Sequence, residues 1–104
     1  MFQVTLTIGH NINNVPKLDT QTICKQVTNV LQIQAYTAIP CFGMWEGIAE
    51  QSTRIEIVTD DHDIVTGIVS RVPALCAVLM QDAIMVSVNT DARVTFVSRD
   101  FIAA

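Results

Sequence analysis

The segment "FQVTLTI" alternates strictly, with Phe2, Val4, Leu6 and Ile8 on one side and Gln3, Thr5 and Thr7 on the other. Successive strand side chains point to opposite faces, so this reads as a half-buried strand. "GHNINNVPK" follows, and its Gly, Asn and Pro content marks a loop. Asp19 or Thr20 can cap a helix, because Ile23, Val27, Val30 and Leu31 then recur at helical spacing. Residues 20–34 are predicted as an amphipathic helix. "AYTAIPCFGMW" predicts a strand interrupted near Pro40; a proline cannot donate to a ladder, which points to an edge or a bulge. "EGIAEQ" reads as a turn. "STRIEIVT" reads as a strand, with Ile55 and Ile57 on one face and Arg54, Glu56 and Val58 on the other.

"DDHD" then caps a second helix, whose predicted buried stripe is Ile64, Ile68, Val72, Leu75 and Leu79. Pro73 falls inside it and predicts a kink or two short helices in tandem. "AIMVSV", a turn at "NTD" and "RVTFVS" close the chain as a hairpin, leaving "RDFIAA" as a loosely held tail. The order is strand, helix, strand, strand, helix, strand, with one extra final strand. That is an α+β chain of the ferredoxin-like βαββαβ plan, a single domain over residues 1–104. Its antiparallel sheet carries both helices on one face. The other face would present Gln3, Thr5, Thr7, Arg54, Glu56, Ser87, Arg93 and Thr95, threaded with Val58, Met85 and Val97.

Composition changes this picture in one respect. Half the residues are hydrophobic and 15% are charged, which is apolar for a 104-residue domain with a large surface for its volume. The mixed sheet face and this apolar excess together predict a homo-oligomer, a trimer first and a dimer as the fallback. Six Lys and Arg against ten Asp and Glu give a net charge of −4 with no basic cluster, which argues against nucleic acid as a partner. The longest wholly apolar run, Val72 to Met80, is too short to span a bilayer, and no basic leader precedes the first strand. Neither a membrane partner nor a signal peptide is expected. Cys24, Cys41 and Cys76 are odd in number and far apart, with no C-x-x-C spacing. They read as buried, reduced thiols in a cytoplasmic protein.

Candidate chemistry concentrates in residues 43–52. Gly43 and Gly47 allow close backbone approach, Trp45 offers a flat apolar face, Glu46 and Glu50 offer carboxylates, and Ser52 a hydroxyl. Together Gly43, Trp45, Gly47, Glu50 and Ser52 suit a small, nitrogen-rich ligand. The alternative is a tight hairpin whose Trp packs on the sheet and whose glutamates are solvated. The run Asp60, Asp61, His62, Asp63 resembles hard-metal ligands, but acids at a helix N-terminus are favoured without any metal. It lacks the Gly and the distal Glu of a calcium loop, so no metal is expected, and no cofactor is implied. His10 ends a strand, yet no Ser or Cys stands in a nucleophile motif beside it. The asparagines after it cap their own loop more simply. No catalytic residue is assigned.

The order of "GMWEGIAEQSTRIEIV" and "QDAIMVSV...RVTFV", after a strand, an Asn-rich loop and a helix, resembles the bacteriophage S-adenosylmethionine lyases, long called hydrolases. The carrying features are a Gly-x-aromatic turn with glutamate before a strand and a Gln-Asp-x-hydrophobic strand near the end. The spacing of Trp45, Gly47, Glu50 and Ser52 is also similar to a Trp-x-Gly…Glu-x-Ser pattern in small bacterial proteins. The resemblance implies a ferredoxin-like trimer with pockets between subunits. It also implies internal attack of the substrate's own carboxylate, releasing methylthioadenosine and a lactone. It gives the substrate's amino group to a turn glutamate, with Glu50 the better match and Glu46 the competitor. A non-catalytic assembly protein without a ligand is the other reading of the same chain.

Overall fold

The computed structural model describes residues 1–94, except for the side chain of Trp45. The elements run β1 (Phe2–Gly9), β2 (Asn11–Ile12), β3 (Val15–Pro16), α1 (Thr20–Leu31), β4 (Thr37–Trp45), β5 (Ile48–Thr59), α2 (His62–Leu79) and β6 (Met85–Asn89). Four strands form one sheet in the order β4-β5-β1-β6, with β1 antiparallel to both β5 and β6. Each helical crossover skips one strand, which is the ferredoxin-like plan expected from the pattern. The expected last strand, residues 93–98, lies outside the described residues from 95 onward, as does the tail after it.

The core sits between the sheet and the two helices. Val4, Leu6, Ile8, Ile55 and Ile57 come from the sheet, and Ile23, Val27, Leu31, Val65, Ile68, Leu75 and Leu79 from the helices. The register explains why these strand residues share a face: Val4 pairs with Ile57 and Val88, and Leu6 with Ile55 and Val86. The other face carries Thr5 opposite Glu56 and Ser87, and Thr7 opposite Arg54 and Met85. It lies open in the single chain, with an Arg54–Glu56 ion pair at 3.4 Å.

The sequence reading departs from the structure at several points, each for a local reason. The first helix ends at Leu31 rather than at residue 34, because Gln32 adopts φ 56°, ψ 44°, a left-handed cap with no glycine to announce it. The second helix buries Val65 in place of Ile64, which is 43% exposed. Two adjacent apolar residues leave the phase of the stripe open by one position. Pro73 neither breaks nor splits α2, which runs unbroken for 18 residues. It faces solvent, so water can satisfy the carbonyl that loses its partner. Proline does not interrupt β4 either; that strand is the sheet edge, as Pro40 requires. The loop after β1 folds into a small β2–β3 hairpin, turned by Asn13 (φ 52°) and Asn14 (φ 63°). The three cysteines are free but half-buried rather than buried. By length and composition alone α2 is apolar enough to cross a membrane, yet its buried stripe packs on the sheet as a core helix does.

The acidic run before α2 acts as a cap. Asp61 is the N-cap residue, and its Oδ1 accepts from the Asp63 N–H at 2.9 Å. No cluster of metal-ligating side chains occurs among the described residues. Asp61→Ala is expected to cost about 1 kcal/mol, as lost N-caps do, whereas Asp60→Ala costs little. Thermal denaturation with and without a chelator checks this; a melting temperature that drops on chelation would contradict the cap.

Candidate functional site

The hairpin of β4 and β5 turns on two residues. Glu46 (φ 49°) and Gly47 (φ 79°) both adopt left-handed backbone, which is the tight turn whose twist suits a two-stranded ribbon. The six-residue turn expected at "EGIAEQ" is therefore only two residues long. Ile48 to Gln51 belong to β5, paired with β4 alone, since β1 pairs with β5 only up to Gly9 and Ser52. The hairpin thus extends past the rest of the sheet. Neither face of this extension meets a helix, so Phe42, Met44 and Ile48 are exposed at 65%, 67% and 43%.

Beneath the extension is a cleft of about 900 Å³. The hairpin supplies one wall with Gly43, Glu46, Glu50 and Ser52. The loop after β1 supplies a second with Gly9, Asn11, Asn13 and Asn14, and the segment from Met80 to Met85 closes a third. The register brings three of the candidate residues to one face: Gly43 pairs with Glu50, and Ser52 pairs with Gly9 and Cys41. Of the other two, Gly47 sits in the turn and does not line the cleft, and Trp45 ends β4 opposite Ile48. Three carboxylates, those of Glu46, Glu50 and Asp82, line the cleft. No Lys, Arg or His does so among the described residues.

Glu50 and Glu46 differ sharply. Glu46 is exposed in the turn. Glu50 is half-buried, and its Oε2 accepts from the Asn11 N–H at 2.8 Å. Asn11 is held on its other side too, because Gln81 Nε2 donates to the Asn11 carbonyl at 2.9 Å. Sequence reasoning offered the loop of residues 9–14 as one of two possible opposite walls, the other being a neighbouring subunit, without singling out Gly9 or Asn11, and it did not place Gln81 in the site. Asn11 and Gln81 are 70 positions apart, and only the sheet order, with β1 between β5 and β6, brings their loops together.

The chain has the fold of a phage SAM lyase. A phage SAM lyase in its apo state matches with a TM-score of 0.75, 16% identity, and 85% of this chain covered against 78% of that one. A phage SAM lyase in complex with S-methyl-5′-thioadenosine matches with a TM-score of 0.72, 16% identity, and coverages of 85% and 79%. A de novo designed protein matches more loosely, with a TM-score of 0.53, 18% identity, and coverages of 88% and 98%. No protein-family profile and no curated protein matches the chain. At these identities the likeness to the lyases is one of fold. A designed chain reaching the same plan underlines that fold and activity are separable.

His10 does not reach this cleft. Its Nε2 lies 2.8 Å from the Thr53 hydroxyl, which is fully buried on the helix side and is also 2.8 Å from the Thr20 hydroxyl at the start of α1. The three side chains tie β1, β5 and α1 together, and His10 N–H donates to the Gln51 carbonyl. Burial holds the imidazole below its ordinary value, opposed by Asp19 and Glu50, whose charges pull it up. The unfolded chain therefore binds this proton more readily than the folded one. The resulting contribution is complete above the unfolded value of about 6.5 and is lost as pH falls through that value towards the lower folded one. His10→Gln is expected to flatten the fall of melting temperature between about pH 7 and 5. Identical slopes for the two proteins would contradict the assignment.

A second cleft, of about 560 Å³, lies at the opposite end of β5 near Thr59, with Gln34, Asp63 and Arg71 on its walls. It contains none of the candidate residues.

Proposed function

We propose that the cleft binds a small organic cation, S-adenosylmethionine or a close analogue, and that the chain is a lyase acting on it. The observation that carries this reading is the Glu50 carboxylate, half-buried in a cleft lined by acids and no base, with only one oxygen engaged by the chain among the described residues. A carboxylate fixed in that way suits an ammonium group, since a charge-assisted hydrogen bond is strongest where water is scarce. The shared fold with a phage SAM lyase solved with S-methyl-5′-thioadenosine supports the choice of cation.

The proposed reaction needs no base from the protein. The substrate's carboxylate oxygen attacks its own γ-carbon, the carbon–sulfur bond breaks, and the electron pair stays on sulfur. The positive sulfonium becomes the neutral thioether methylthioadenosine, and the amino acid part leaves as a lactone that keeps its ammonium. What the protein contributes is orientation: Glu50 anchors the ammonium so that the chain of the substrate folds towards a near-attack shape, and the cleft walls limit access of water. Asn13 and Asn14 stand on the loop wall, where amides can meet the ligand's polar edge.

The chain acts as a homo-oligomer in this proposal, a trimer first and a dimer as the fallback. The exposed Met44 and Met85, which line the cleft, and Phe42 on the same hairpin as Met44 support it, because large apolar side chains at 65–67% exposure are left without cover in the single chain. The same observation favours the second reading, an assembly protein without a ligand. Incubation with S-adenosylmethionine and chromatography of the products separates the two. The lyase reading expects methylthioadenosine and lactone in equal amounts. Intact substrate beside a stable oligomer leaves the assembly reading in its place.

A further inference from the structure

We propose that Gly9, Asn11 and Gln81 are positioning residues that together hold the Glu50 carboxylate in one pose. The proposal rests on the reading of the cleft as a cation site and adds to it the machinery that fixes its anchor. Gly9 is the first part. Its partner in β5 is Ser52, and the Glu50 side chain leans across β1 at that point. A Cβ on Gly9 would lie 2.6 Å from both the carboxyl carbon and Oε1 of Glu50, and closer still to Oε2. Any residue but glycine therefore evicts the carboxylate from this position. The backbone there is not left-handed, so the requirement is for space and not for an unusual conformation.

Asn11 is the second part. Its N–H meets Glu50 Oε2 at 2.8 Å and satisfies one oxygen from the loop side. Gln81 is the third. Its side-chain amide donates to the Asn11 carbonyl at 2.9 Å and, more weakly, to the Leu79 carbonyl at 3.4 Å. Asn11 is thus held between the acid and the end of α2, and the peptide N–H stays aimed at Glu50. A glutamate at a surface ordinarily samples many rotamers, and holding it in one before the ligand arrives removes an ordering cost from binding. Gly9 makes the space, Asn11 supplies the donor and Gln81 fixes the donor.

The chemistry of Gly9→Ala makes the test clean. The atom in the way is the far end of a flexible side chain, so Glu50 can swing out and the sheet need not move. The variant is expected to fold, and its affinity for S-adenosylmethionine is expected to fall roughly 10-fold or more, by about the same factor as Glu50→Gln. The double variant should be no worse than either single, because both remove the same anchor. Gln81→Ala should lower affinity by a smaller factor through the loosened loop. Additive losses in the double variant, or wild-type affinity in Gly9→Ala, would overturn the proposal. A second readout needs no ligand. The Asn11 amide proton, shifted downfield by its carboxylate partner in the nitrogen–proton spectrum, should move upfield in Gly9→Ala and in Glu50→Gln. If the wild type binds no S-adenosylmethionine but that resonance moves as expected, the positioning stands and only the ligand reading fails. An Asn11 resonance unmoved by Gly9→Ala overturns the positioning whatever the ligand.

Discussion

Glu50→Gln is expected to weaken binding of S-adenosylmethionine roughly 10- to 100-fold, while Glu46→Gln changes it by less than about threefold. The contrast follows from where the chain holds the two acids. Glu50 is half-buried and engaged by the Asn11 N–H, whereas Glu46 is exposed in the turn, where salt and water weaken any attraction. Glutamine keeps the shape of Glu50 and can still accept from Asn11, so the variant removes charge and little else. Titration calorimetry at low and high salt measures both. A larger loss at Glu46 than at Glu50 would move the anchor to the turn and contradict the site as drawn.

Leu6→Ala is expected to destabilise the chain by about 2–5 kcal/mol, a large part of the roughly 5–15 kcal/mol that holds a small domain together. Leu6 is fully buried on the central strand, opposite Ile55 on one side and Val86 on the other. The loss combines the transfer energy of the removed methyl groups with the cavity that the surrounding core does not refill. Phe42→Ala, by contrast, removes a larger side chain that is 65% exposed, and should cost the isolated chain less than about 0.5 kcal/mol. Urea denaturation of both variants decides the matter. Equal losses would mean that Phe42 is covered in solution, as the homo-oligomer proposed above would cover it.

The core was legible because its strands alternate without error. Phe2 to Ile8 and the pair Ile55 and Ile57 announced their faces, and Pro40 pointed to an edge or a bulge, of which β4 takes the edge. The hairpin tip was not legible. Ile48 to Gln51 pair with one strand only and, the half-buried Glu50 apart, are exposed, so nothing in their polarity distinguishes strand from turn. The end of the first helix was hidden as well, since Gln32 takes the left-handed cap that glycine usually marks, whereas α2 ends at Leu79, the last residue of its predicted stripe. In the site, Glu50, Gly43 and Ser52 stood together in the sequence and stand together in the cleft. Gly9, Asn11 and Gln81 did not, because they meet Glu50 across the sheet and along a chain of hydrogen bonds that spacing along the sequence does not encode.

The most direct measurement is a calorimetric titration of the wild-type chain with S-adenosylmethionine, at low salt and in parallel with methylthioadenosine. The account expects saturable binding of one ligand per chain, tighter for the cation than for the neutral thioether, because the acids that line the cleft favour positive charge. Absence of binding, or equal affinity for the charged and neutral compounds, would contradict it.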